Sequence, residues 1–350
     1  MKLPVSKTLL DISLVKVSFS SIWSMKERNI GIDILKFIAI LMITNTHLKS
    51  LYVDFSFLST GGAIGNALFF FCSGFTLFMK PFSNIKDFPD WYKRRINRIY
   101  PSVFAVSIVL CTFTVLKYDI NTVILHGGQW FVTVIMVYYV FLYLIGLYLR
   151  ERIDWVLGIV VVALFVWFYM TDFPPYFNLF GNDYIRYKWI LYFVFMLFGA
   201  RVGMMSHEKQ SKPQWRNLLL ALLGLAFFYV LLGVTTGQQQ FAPLHVFTVF
   251  PMMMALYFLY LWANGKWARS VYNTKWGNLV IRFIGGMCLE IYLIQNILIT
   301  RKLNFLFPLN IPIVLCEIIV GAYLLRCMAR FISQTFKEAP YDWKKMVDIY

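Results

Sequence analysis

Trp155-Val-Leu-Gly-Ile-Val-Val-Val-Ala-Leu-Phe-Val-Trp-Phe-Tyr-Met170 contains no charged side chain, and Leu218 to Leu232 repeats that character further along the chain. A helical crossing of a bilayer needs roughly 20 mostly apolar residues, with ~17 at the short end. Outward from these two stretches, comparable runs recur near 31–51, 61–79, 99–117, 129–149, 154–171, 186–205, 216–233, 244–263, 279–299 and 311–330. Composition agrees. Of 350 residues, 59% are hydrophobic and 14% charged, whereas a soluble domain carries about a quarter charged residues; mean hydropathy is +0.64. The expected fold is all-α, a polytopic transmembrane bundle of about ten spans.

Basic residues test that reading independently, because cytoplasmic loops of membrane proteins are enriched in Lys and Arg. Lys26 and Arg28 precede the first span, and Lys80, Lys86, Lys93, Arg94, Arg95 and Arg98 lie between the second and third. Arg150 and Arg152, then Arg201 and Arg216, then Lys266, Arg269 and Lys275, and finally Arg330 and Lys337 continue the same side. The opposite loops hold only Lys117, Arg186, Lys188, Arg301 and Lys302. Both termini are therefore expected in the cytoplasm. The formal charge of +16 is spread over every loop on that side, so topology accounts for it and nucleic acid is not an expected partner, whereas membrane lipid is.

All five cysteines (Cys72, Cys111, Cys288, Cys316 and Cys327) fall inside expected spans without metal-ligand spacing, so disulfides and a metal site are not expected. Three regions follow: a cytoplasmic N-terminal segment over 1–29, a transmembrane domain over 30–332 and a cytoplasmic tail over 333–350. Asp11 and Lys16 interrupt the early apolar positions, unlike a signal peptide, and Met25-Lys-Glu-Arg28 directly before the first span reads as the natural start. The stretches between spans are too short for an appended soluble domain of roughly 50 residues or more. Any chemistry is therefore expected from the membrane core. No internal repeat marks a transporter built from inverted halves.

The first span places Asp33, Lys36 and His47 in an otherwise apolar helix. At 100° per residue Asp33, Lys36, Ile40, Ile43 and His47 fall within about an 80° stripe, and intramembrane ionisable groups are costly and usually functional. The bland alternative is an Asp33–Lys36 structural pair with His47 hydrogen-bonded at the opposite boundary. The second span contains Phe69-Phe-Phe-Cys72-Ser73-Gly74-Phe75, where Ser73 alone reads more readily as a packing serine than a nucleophile. Between the second and third spans comes Trp91-Tyr92-Lys93-Arg94-Arg95-Ile96-Asn97-Arg98-Ile99-Tyr100-Pro101, denser in arginine than orientation requires. Guanidinium forks bind phosphate, on a ligand or a lipid headgroup.

In this order and spacing the three segments resemble the acyltransferase type 3 family, integral membrane enzymes that acylate bacterial surface glycans and other acceptors. Asp33, Lys36 and His47 match its acidic, basic and histidine positions in the first helix. Ser73-Gly74-Phe75 is similar to its serine-glycine-phenylalanine motif, and Arg94-Arg95-Ile-Asn-Arg98-Ile-Tyr-Pro101 to its arginine-rich loop. Trp130-Phe131 and Ile291-Tyr292-Leu293-Ile294 fit weaker features. Two positions depart: Lys36 stands where the family has arginine, keeping the charge without the fork, and Gln295 stands where a histidine is frequent.

The resemblance implies an acyl-CoA donor, acetyl-CoA first and succinyl second, a glycan hydroxyl as acceptor, and residence in the bacterial cytoplasmic (inner) membrane. It implies that Arg94, Arg95 and Arg98 hold the nucleotide phosphates, that Asp33 and Lys36 line the entry, and that Ser73 shapes the channel. His47 then acts as general base or as a nucleophile forming an acyl-imidazole, ~16 Å along the helix from Lys36. Glu290, in the expected ninth span, either needs a partner, for which Lys36 and a protonated His47 are the choices, or is buried as the neutral acid. The aromatic loops at Thr171–Asn178 and Gly181–Tyr184 suit a sugar or an interfacial belt equally. The rival class is a carrier for a lipid-linked glycan or small solute. A glycosyltransferase is disfavoured by the lack of an Asp-x-Asp pair, and His126, His207 and His245 are scattered.

Overall fold

The computed structural model describes residues 29–113, 129–170, 178–181, 185–205 and 214–348. The proposed start at Met25, most of the two aromatic loops, His126 and His207 lie outside them. The helices are α1 (Ile30–His47), α2 (Gly62–Phe78), α3 (Phe88–Phe113), α4 (Gln129–Tyr148), α5 (Ile153–Tyr169), α6 (Ile185–Met204), α7 (Gln214–Gly237), α8 (Val249–Ala263), α9 (Lys266–Asn273), α10 (Lys275–Gly286), α11 (Cys288–Leu298), α12 (Asn310–Thr335) and α13 (Trp343–Val347). Among the described residues nine helical segments are long and apolar enough to cross a membrane, and the bent pair α10–α11 makes a tenth. No strand occurs among them. The chain is thus an all-α polytopic bundle.

Small residues set its centre. A Cβ on Gly74 of α2 would run into the Met196 carbonyl oxygen of α6, and one on Gly199 into that of Phe71. These two glycines let α2 and α6 pack backbone to backbone, which is how membrane helices gain contact without a hydrophobic driving force between them. Around this pair Phe70, Phe71, Phe75, Tyr192 and Phe195 are fully buried. At the periphery α5, α7 and α12 expose Trp155, Val162, Leu222, Phe227, Val320 and Leu324, the apolar surface that lipid requires.

Two expected boundaries are corrected. The arginine-rich stretch is not a loop: α3 begins at Phe88, with Pro89 in its first turn and Pro101 inside it. Proline is tolerated at a helix start, and buried Trp91, packed against Phe82, Tyr139 and Tyr143, fixes the turn that follows. The expected span at 279–299 is also not straight, because α10 and α11 meet at 70°. Gly285-Gly286 precede the break, a sequence where helices commonly kink. Helices α9 and α10 carry exposed Trp267 and Trp276 beside Lys266 and Lys275, the pattern of helices lying in a membrane interface.

Ends that the charge pattern assigns to one side do meet. Arg150, beyond α4, donates to the Phe78 carbonyl at 2.7 Å and the Lys80 carbonyl at 3.2 Å, and Arg201 pairs with Asp154 at 2.6 Å. These contacts mark the basic end of the bundle.

Candidate active site

At the basic end a cavity of about 420 Å³ opens between α2, α3, α4, the α10–α11 bend and α12, with Lys36 of α1 in its wall. That volume lies within the ~300–1,000 Å³ range of small-molecule sites. Five cationic side chains line it (Lys36, Arg95, Arg98, Arg326 and Arg330) against one carboxylate, Glu290.

Helical arithmetic explains the α3 contribution. Trp91, Arg95, Arg98 and Ser102 recur at spacings of four, three and four, so they share a face, and the last three line the cavity. Arg94 is a further 100° around the helix and is exposed, outside the lining. The Arg95 guanidinium lies over the Trp91 ring, 4.8 Å from its centroid, while its buried Nε has no hydrogen-bond partner. Arg326 on α12 likewise leaves Nη1 buried and unpartnered. Two buried guanidinium N–H groups without acceptors, each costing about 1–3 kcal/mol or more, favour an anion in this cavity.

Glu290 finds a partner other than those expected. Ser102 Oγ donates to Glu290 Oε1 at 2.7 Å, tying α3 to α11 in the cavity wall, and Arg326 stands within electrostatic reach of the carboxylate. Ser73 and Tyr139, which neighbour each other, also line the cavity. Lys36 is half-buried, and its carbonyl receives the Cys288 thiol at 3.6 Å.

Asp33 is absent from this wall. Three residues from Lys36, it is turned about 60° around α1, where Tyr272 Oη of α9 donates to its Oδ2 at 3.1 Å. Of the two residues expected at the entry, Lys36 lines the cavity and Asp33 does not.

His47 closes the other end of α1, half-buried, with the Asn296 side chain of α11 beside it. The surrounding turn is firmly held: Thr46 Oγ1 accepts from Gly62 N at 2.6 Å, and Asn45 Nδ2 donates to the carbonyls of Leu58 and Thr60 at 2.8 and 2.9 Å. Gly61, at φ 104°, makes the reversal into α2 that this contact needs. Histidine and cavity are not in contact. Phe69, at the cavity's inner end, is seven residues from Gly62, so ~10 Å of helix separates it from the level of His47. Phe69 and Phe131 meet edge-on there, with centroids 5.7 Å apart. One turn beyond Ile291, Gln295 is fully buried and its amide oxygen and nitrogen have no partner.

Read from the sequence, Arg330 is one of several loop charges and Arg326 goes unremarked. Two arginines four apart at the end of an apolar span are neighbours on one helix face and costly in lipid; that was the available signal. Ser102, Tyr139, Tyr272 and Asn296 carry no local signal, since each matters through a residue distant in the chain.

A family model described as an acyltransferase domain matches residues 29–327. No curated protein matches the chain, and no solved structure does.

Proposed function

Because the chain belongs to the acyltransferase type 3 family, whose model covers most of its length, we propose that it transfers an acyl group, acetyl in the first instance, from acyl-CoA to a glycan hydroxyl at a bacterial cytoplasmic membrane. One observation carries this reading: five cationic side chains from three helices converge on a cavity at the basic end, and the same helix that contributes Lys36 ends in a held histidine.

On this reading Arg95, Arg98 and Arg326 hold phosphate oxygens by charge-assisted forks, and Lys36 neutralises charge where the pantetheine arm enters. The arm threads past Phe69 and Phe131 to bring the thioester to His47. The acceptor hydroxyl attacks the thioester carbonyl while its proton passes to His47; the new C–O bond forms, the C–S bond breaks, and the departing thiolate recovers the proton. A two-step route through an acyl-imidazole on His47 gives the same products and is distinguished by trapping labelled enzyme without acceptor.

The test is transfer of radiolabelled acetyl from acetyl-CoA to glycan in membranes carrying wild type or His47→Ala at equal expression. Label with wild type and a loss of about 10²–10⁴-fold in the variant is the expected result. Equal label with both removes His47 from the chemistry, and label with neither favours the carrier reading.

A further inference from the structure

The cavity does not end at Arg330. Arg330 and Ser333 also line a second groove of about 630 Å³, formed between the end of α12 and the C-terminal segment. That segment is folded back onto α12. Phe331 stacks on Tyr341 at 5.2 Å, Gln334 exchanges hydrogen bonds with the backbone of Asp342 at 2.7 and 3.2 Å, and Tyr323 Oη donates to the Val347 carbonyl at 2.6 Å. Arg330 Nη1 donates to the carbonyls of Met346, at 3.3 Å, and Asp348. The tail thus holds Arg330 at the junction of two spaces. Lys337 lines the outer space, while Lys345 is paired with Asp342 at 2.9 Å.

Resting on the donor reading above, we infer that this groove is the subsite for the 3′-phosphate of coenzyme A, held by Arg330 and Lys337 with the C-terminal segment as its wall. The order of groups along the ligand carries the assignment. From the thioester outward, acyl-CoA presents a pantetheine arm, a diphosphate, and then adenosine with its 3′-phosphate. From the level of His47 outward, the protein presents ~10 Å of helix ending at the Phe69–Phe131 ring pair, then the Arg95, Arg98 and Arg326 group, then Arg330 and the groove. Arg326 lies one helical turn, ~6 Å, nearer the reaction centre than Arg330, with Glu290 and Asp348 both within its electrostatic reach. It belongs with the diphosphate, and Arg330 with the terminal phosphate.

The experiment compares binding of acetyl-CoA and 3′-dephospho-acetyl-CoA to the full chain in phosphatidylcholine nanodiscs, which lack anionic headgroups that would compete for the arginines. Wild type should prefer acetyl-CoA by about tenfold or more, the size of one charge-assisted contact. Arg330→Ala and Lys337→Ala should each narrow that preference to about threefold or less, and Lys337→Ala, which lies outside the donor cavity, should leave binding of the dephospho ligand near wild type and so confirm the fold. Arg326→Gln should weaken both ligands alike and keep the ratio. A wild-type ratio retained in both Arg330→Ala and Lys337→Ala, or no preference in wild type, overturns the subsite while leaving the donor reading intact. A wild type that binds neither ligand overturns the donor reading, and the subsite with it.

Discussion

Removing the Ser102 hydroxyl is the sharpest test of how the cavity is held together. Ser102 Oγ reaches Glu290 Oε1 at 2.7 Å with both side chains buried, and a hydrogen bond to a charged group contributes about 1.5–3 kcal/mol. It is also a side-chain link between α3 and α11 in the cavity wall, so its loss should act on stability and donor binding together. Ser102→Ala leaves the carboxylate buried with one acceptor unsatisfied; Glu290→Gln keeps the shape but weakens the bond; the double variant has nothing further to lose at this pair. We expect thermal midpoints in detergent to fall by several degrees for each single variant, with the double variant no lower than the worse single. The coupling should amount to about 1.5–3 kcal/mol. The same variants should raise the KM for acetyl-CoA. Strictly additive shifts would refute the claim that this bond braces the cavity, and so would a Ser102→Ala protein indistinguishable from wild type in both readouts.

Other outcomes follow from the geometry. Arg95→Lys keeps charge but loses the fork and the stacking on Trp91, and should raise the KM for acetyl-CoA about tenfold, a cost of ~1.4 kcal/mol, with kcat little changed; Arg94→Lys, exposed and off the cavity, should stay within about twofold in the same steady-state assay. Asp33→Asn preserves an acceptor for Tyr272 and should cost less thermal stability than Tyr272→Phe, which removes the bond, with no change in kcat for either; a kcat collapse in Asp33→Asn would return Asp33 to the chemistry. Gly199→Val places a branched side chain against the Phe71 carbonyl and should abolish folded protein on size-exclusion chromatography, whereas Gly158→Val, which meets open space, should be silent.

Much of this arrangement is legible in the residues alone, for definable reasons. Spans are set by local apolarity and the bilayer's thickness, so the expected segments near 61–79, 129–149 and 216–233 correspond to α2, α4 and α7 within a few residues. Lys36, Ser73, Arg95 and Arg98 come together in one wall, and their motif order pointed to a shared site. What failed did so where the deciding contact is remote in the chain or finer than a helical stripe. Asp33 and Lys36 share a stripe, yet 60° of rotation gives one to Tyr272 and the other to the cavity. Glu290 is paired by Ser102, one residue beyond the arginine motif. Hydropathy sums over Gly285-Gly286 as over any other apolar stretch, so it registers a span there and not a bend.

That bend changes the length of the path between the two faces. Helix α11 has 11 residues, ~16 Å of rise, against a hydrocarbon core of ~30 Å. Beside α1, α11 by itself therefore supplies about half that thickness, and its first residues, Cys288, Leu289 and Glu290, border the charge-lined cavity. On the donor reading, a reactive group carried on a flexible tether would have only that half to cross, without two halves of the protein rocking past each other as in an alternating-access carrier.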